Sequence, residues 1–278
     1  AQDVLQMGAP PDYAGARPLG LHLEGPFLNP AKKGAHNPAH LRQPDLALVQ
    51  DWSPETAVSL VTLAPELPGA TAVIHELTWC GVIVSIGHSL ATYDEANIAI
   101  DAGIRYATHL FNAMPPLHHR QPGLIAALLA DERVTLGLIP DGVHVHPVLV
   151  KLVQQLAGSR LNLVTDGMAA MGMPPGRYML GDFEVRVDET ACRLPDGTLA
   201  GSKLMLDTAV HNLTEFSGCT FLEALAGVTA VPANLLNLKT KGRIAPGYDA
   251  DLVLWRPDGG VEMTLVGGRI VYQITKGV

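Results

Sequence analysis

Residues 82–88, Val-Ile-Val-Ser-Ile-Gly-His, decide how the rest of the chain is read. A short apolar run rich in β-branched residues fits a strand buried on both faces, as in a parallel sheet. Outward from it, Tyr93–Ala102 has helical spacing behind the N-cap candidate Thr92, and Tyr106-Ala-Thr-His109 again ends on a histidine. Four further runs share the form: Leu19–Glu24, Val61–Glu66, Val134–Asp141 and Leu161–Asp166. Helical spacing recurs in Ser53–Leu60, behind a Ser-Pro start, and in Pro147–Leu156, opened by a proline. This alternation predicts an α/β fold with a parallel sheet. The runs end on polar residues at 24, 66, 88, 109, 141 and 166. In such sheets and barrels the carboxyl ends of the strands form the functional rim.

After Asp166 the texture changes. Residues 176–202 read as a hairpin insertion with a turn at Pro195-Asp-Gly197. Leu204–Phe216 and Phe221–Leu236 read as helices. The segments 247–255 and 262–272 read as strands separated by Pro-Asp-Gly-Gly, forming a small appended sheet.

The 278 residues are 47% hydrophobic and 17% charged, which excludes disorder as the main state. The net charge of −8 argues against nucleic acid or an anionic membrane as partner. No apolar stretch approaches the roughly 20 residues of a membrane span. Cys80, Cys192 and Cys219 are widely spaced and form no CxxC pair, which reads as a reduced, cytoplasmic protein. Walker A, GxGxxG and GxSxG motifs are missing, so nucleotide kinases, dinucleotide dehydrogenases and serine hydrolases are poor readings.

Glu24, His88, His109 and Asp166 are the leading chemical set. Two imidazoles and a carboxylate suit a catalytic divalent ion with an open position. A further carboxylate beside it suits general acid–base work. The structural alternatives stay open at this point: hydrogen-bonded histidines at strand ends, a turn at Gly25-Pro26, and an Asp-capped βα turn at 165–167. His36 falls on a loop after the first run, and His144 and His146 follow Asp141-Gly142. His118, His119 and Arg120 form a basic cluster that suits either an anion or a solvated loop. His22 and His75 read as structural, His40 and His211 have no evident role, and Met168, Met171 and Met173 read as loop packing.

Six stretches in this order are similar to one known family: LHLEGPFLNPAKKGAHNP (21–38), GHS (87–89), THLFNAMPPLHHRQPG (108–123), DGVHVHP (141–147), LVTDGM (163–168) and GTLAGS (197–202). With the more general ending GRIAPGYDADLVLW (242–255), the chain resembles the N-acetylglucosamine-6-phosphate deacetylases of the amidohydrolase superfamily. The resemblance implies a (β/α)8 TIM barrel with a small β-sandwich domain. It implies hydrolysis of N-acetyl-D-glucosamine 6-phosphate to glucosamine 6-phosphate and acetate. Glu24, His88 and His109 match the family's ligands for one divalent ion, usually zinc. Asp166 matches its catalytic acid/base, and His36 a residue that polarises the amide carbonyl. Ala35, Asn112, Ala113, Arg120, His144, Leu199, Ala200 and Gly201 match substrate-binding positions. The family's arginine at Arg120 reaches the neighbouring subunit's substrate, so a homodimer is implied.

By the same resemblance the six runs are barrel strands 3–8. Residues 1–240 then form the catalytic barrel domain and 241–278 the C-terminal part of the sandwich. The expectation is a chain lacking the family's N-terminal quarter, with Ala1 not a biological start, and poorly soluble or inactive by itself. The competing expectations are an amidohydrolase for a different N-acyl or cyclic amide, and an inactive fragment.

Overall fold

The structure, a computed structural model, describes residues 15–274. Ala1, on which the expectation about the chain's start falls, lies outside the described residues.

Six parallel strands form one sheet in strictly consecutive order: β1 (Leu21–Glu24), β2 (Val58–Leu63), β3 (Ile83–Ile86), β4 (Tyr106–Ala107), β5 (Thr135–Leu138) and β6 (Leu161–Leu163). Register pairs such as Thr62↔Ser85 and Ile86↔Ala107 bring their carboxyl ends level. Consecutive parallel strands need a crossover between each pair, and the helices supply it. They are α1 (Leu46–Val49), α2 (Ala70–Trp79), α3 (Tyr93–Ala102), α4 (Gly123–Ala130) and α5 (Pro147–Ala157), and α6 (Leu206–Ser217) follows the last strand. This is the TIM-barrel arrangement, and one continuous core joins strands and helices, with Val61, Leu63, Val84, Ile86, Leu136 and Leu138 at its centre. Among the described residues β1 and β6 each pair on one side only.

Helix α3 shows why its sequence folds locally. Thr92 Oγ1 accepts from the Glu95 amide at 3.3 Å, and the Glu95 carboxylate accepts from the Thr92 amide at 2.8 Å. This reciprocal capping box satisfies donors that a helix start leaves unpaired. Ala96, Ala99, Ile100 and Ala102 then face the core.

The structure corrects several readings. Ser53–Leu60 is no helix: one 3₁₀ turn, Pro54–Thr56, stops at Ala57, whose φ of 78° is left-handed, and β2 starts at Val58. The helix between β1 and β2 is α1, capped by Asp45, and α2 follows β2 in a segment whose sequence carries no strong N-cap. Strand β2 therefore ends at Leu63, and Glu66 lies three residues beyond it. Phe221–Leu236 is two helices, α7 (Phe221–Ala226) and α8 (Ala230–Leu235), with Gly227 between them.

Two three-stranded antiparallel sheets complete the chain. The first is β7 (Gly176–Leu180), β8 (Phe183–Val187) and β9 (Cys192–Arg193), where the hairpin was expected. It closes over its own small core of Val185, Val187, Cys192, Leu194 and Ala200. The second is β10 (Leu252–Trp255), β11 (Val261–Val266) and β12 (Arg269–Gln273). Residues 262–272 are thus two strands rather than one, because Gly267 and Gly268 both take positive φ and reverse the chain. Trp255 packs edge-to-face on Phe221 with centroids 5.1 Å apart, and His211 Nε2 lies 2.6 Å from the Gly259 carbonyl. These contacts seat the second sheet against α6 and α7.

Candidate metal centre and cleft

Glu24 is the last residue of β1, and His88, His109 and Asp166 follow β3, β4 and β6 by two or three residues. The parallel register delivers all four to one rim. His88, His109 and Asp166 have φ values of 48°, 30° and 47°. Non-glycine residues there cost on the order of 1–3 kcal/mol and cluster at functional sites. Gly87, just before His88, is required by space: a Cβ there would lie 2.8 Å from Thr62 Cγ2.

The first three side chains converge tightly. His88 Nε2 is 3.0 Å and His109 Nε2 2.9 Å from Glu24 Oε1, and the two nitrogens are 3.1 Å apart. His88 Nδ1 lies 2.7 Å from the Lys32 carbonyl, which can only accept. The ring proton therefore belongs on Nδ1, and a neutral His88 turns its Nε2 lone pair toward the other two atoms. Three acceptors around one point repel unless a positive centre, a metal ion or in its place a ring proton, lies among them. His109 Nδ1 is buried with no hydrogen-bond partner. This donor set, with its backbone-held histidine, fits a divalent ion. In the bare protein, burial would raise the Glu24 pKa, but hydrogen bonds from His109, His36 and His88 hold it well below the usual carboxylate range. Burial opposes charge on His109, yet its contact with Glu24 and the nearby charge of Asp166 raise its pKa.

His36 complicates the ligand set. Its Nε2 sits 3.1 Å from Glu24 Oε2, and Glu24, His36 and His88 also offer ligand atoms within 4.8 Å of one another. The geometry separates the two histidines. His109 is buried and shares Oε1 with His88, whereas His36 is half-buried on the other carboxylate oxygen.

The cleft holds about 610 Å³. Of the sequence-derived residues, Glu24, His36, His88, His109, Asp166, Ala35, Asn112, Ala113, His144, Leu199 and Gly201 line it. Gly201 is drawn in because the Ser202 amide donates to the Asp166 carbonyl at 2.7 Å. His144 Nδ1 pairs with Asp141 at 2.6 Å. Burial opposes the Asp141 charge, but His144 and the 143–144 amides outweigh it and lower its pKa. Two expected residues lie elsewhere. Ala200 is buried in the core under the hairpin, and Arg120 is exposed outside the cleft, its guanidinium donating to His119 Nε2 at 2.8 Å.

The cleft also has walls that the sequence reading missed. Lys32 and His40 line it, and so does the hairpin tip, Leu180–Phe183. Asp182 Oδ2 accepts from Asn37 Nδ2 at 3.0 Å, so the tip is tied to the loop after β1. Lys32 lies inside the first quoted motif and was legible there; nothing local marks 180–183 as facing a site 145 residues upstream.

A consecutive parallel barrel with a Glu–His–His centre on its carboxyl rim defines a metal-dependent hydrolase class, and residues 12–271 match the amidohydrolase family; the chain belongs to it. Within that family it falls among the N-acetylglucosamine-6-phosphate deacetylases. It is 39% identical to the one from Lysinibacillus sphaericus, over 93% of this chain and 67% of that protein. It is also 41% identical to the N-acetylgalactosamine-6-phosphate deacetylase of Escherichia coli O157:H7, over 95% and 70%. Among solved structures, the Thermotoga maritima N-acetylglucosamine-6-phosphate deacetylase superposes with a TM-score of 0.88 at 38% identity, covering 92% of this chain and 70% of that one. An aspartate-to-alanine mutant of the Mycobacterium smegmatis enzyme, in complex with N-acetyl-D-glucosamine-6-phosphate, superposes at 0.85 and 38%, covering 91% and 68%. The chain spans about two thirds of the length of the curated relatives it matches.

Proposed function

We propose that this chain carries the catalytic centre for hydrolysis of N-acetyl-D-glucosamine 6-phosphate to glucosamine 6-phosphate and acetate. The observation that carries this reading is the convergence of Glu24, His88 and His109, with Asp166 and His36 beside them in one cleft. Glu24, His88 and His109 would hold a divalent ion, in our reading zinc, which supplies Lewis acidity toward water and the acetyl carbonyl.

The chain's own residues do the rest. Asp166 takes a proton from the attacking water and returns it to the nitrogen as the amide C–N bond breaks. The His36 ring, on the cleft side of Glu24, donates to the developing oxyanion. His144 is held by Asp141, and with Asn112, Ala113, Leu199 and Gly201 it orients the sugar phosphate, so binding far from the reacting bond supports its alignment. Ala200 contributes by fixing the backbone between its two neighbours. Arg120 reaches out of its own cleft, as a residue contributed across a homodimer interface would. The three free cysteines accord with a cytoplasmic site of amino-sugar breakdown. The domain division at about residue 240 belongs to the same proposal.

The test is acetate release by zinc-loaded protein. N-acetylglucosamine 6-phosphate should be turned over well ahead of the unphosphorylated sugar. The relative named for the galactosamine substrate makes the C4 epimer the informative competitor. Preference for that epimer would reassign the substrate, and no release from either would overturn the proposal.

A further inference from the structure

Glu66 lies behind the cleft, three residues past the end of β2, and does not line it. Its carboxylate is nevertheless met by two donors from the turn that carries His88 and by one from the loop after β1. Oε1 accepts from the Leu90 amide at 2.6 Å and from Asn29 Nδ2 at 2.9 Å, and Oε2 accepts from Ser89 Oγ at 2.6 Å. No lysine, arginine or histidine forms an ion pair with Glu66 among the described residues. A half-buried carboxylate served only by neutral donors is not a surface charge pair; two of its three bonds are charge-assisted ties to the Ser89–Leu90 turn and the third joins it to Asn29.

The ties close around His88 from both sides. The Asn29 amide donates to the His88 carbonyl at 3.0 Å, so Asn29 grips Glu66 and the ligand residue together. Ser89 is fully buried, accepts from the Ala91 amide at 2.9 Å, and donates its own amide to the Ala113 carbonyl at 3.2 Å. Between these anchors His88 holds its left-handed backbone, which nothing in its own side chain favours. We propose that Glu66 is the positioning residue for His88: its carboxylate clamps the His88–Leu90 turn and so presents Nε2 to Glu24 and His109. The inference rests on the metal-centre reading above.

The test uses the full chain, stripped of metal. The zinc Kd is measured by competition with a chromophoric chelator, the visible spectrum is recorded with cobalt, and the metal-free protein is melted thermally. Glu66→Ala should raise the zinc Kd by about 10–100-fold, as loss of an outer support to a ligand does. It should also alter the cobalt bands, and lower kcat with little change in KM. Glu66→Gln keeps an oxygen for Leu90 and Asn29 and an amide that can face Ser89 Oγ, so its Kd should stay near wild type. A folded Glu66→Ala protein with wild-type Kd and cobalt spectrum overturns the proposal, and so does one that loses only melting temperature. If Glu66→Ala does not fold, Ser89→Ala removes the Ser89 tie to Glu66 together with the Ala91 bond to the same hydroxyl, and leaves the Leu90 and Asn29 ties in place; a raised Kd supports the clamp and an unchanged Kd overturns it. Failure of the wild-type chain to bind zinc at all would sink the metal-centre reading itself, which separates the two failures.

Discussion

The Glu24–His88–His109 cluster and the His118–Arg120 loop are both histidine-rich, and they are built in opposite ways. In the first, every side chain comes from a different strand end, is held by contacts from distant segments, and is largely buried. In the second, three neighbours in sequence bond to one another on an exposed loop. The first arrangement draws its three side chains from one chain and is the one we propose to hold a cation. The second has no partner from another segment among the described residues, and in our proposal gains a function only when a ligand or second subunit is brought to it. Chemistry at the first should therefore fail sharply on single substitutions, whereas the second should affect selectivity.

Asp166→Asn should give the largest effect: turnover falling by about 10²–10⁴, the usual worth of a general acid–base group, with zinc still bound. Near-normal acetate release by this variant would break the contrast, since the buried cluster would then work without its proton carrier. His109→Ala should lose zinc binding measured by chelator competition, while the melting temperature of the metal-free protein shifts far less. Arg120→Ala should weaken use of the phosphorylated sugar by about 10–100-fold, the worth of a charged hydrogen bond. Its use of the unphosphorylated sugar should not change, and an equal loss on both would remove the phosphate role.

A smaller effect concerns the support of His144. The Asp141 pKa is lowered in the folded chain, so its contribution to stability is full above the unfolded carboxylate value of about 3.9 and fades as pH falls through the lower folded value. Melting of wild type and Asp141→Asn should therefore differ most near neutral pH and converge in acid. A gap that stays constant with pH would show that the Asp141 charge does not carry the difference. The smallest expected change is Thr92→Ala, which removes the α3 cap for about 1 kcal/mol and should lower the melting temperature while leaving the zinc Kd untouched.

How much could be read beforehand follows the same divide. Strands β3 to β6 are buried on both faces and stand out as apolar runs, β1 reads alike though none of its residues is fully buried, and the polar residues closing these runs mark the rim. That is why Glu24, His88, His109 and Asp166 were legible together. Ser53–Leu60 misled because its apolar spacing suits a helix, while the left-handed Ala57 that breaks it leaves no mark in an alanine. The place of Leu180–Phe183, and the contacts of Glu66, which was marked only as the end of its run, were invisible for another reason. Their partners, Asn37 and the Ser89 turn, are 145 and 23 residues away, and no local pattern encodes such a meeting.

The bond between His88 Nδ1 and the Lys32 carbonyl carries an evolutionary consequence. Because the acceptor is main chain, the protonation pattern of this ligand is insulated from whatever side chain occupies position 32. It is inherited with the path of the loop, and the vulnerable letter lies two places on. Gly34 has φ +54°, and a Cβ there would come within 3.2 Å of His88 Cε1. Sequence drift at position 32 should thus be silent for the ligand's tautomer, whereas drift at the glycine should not.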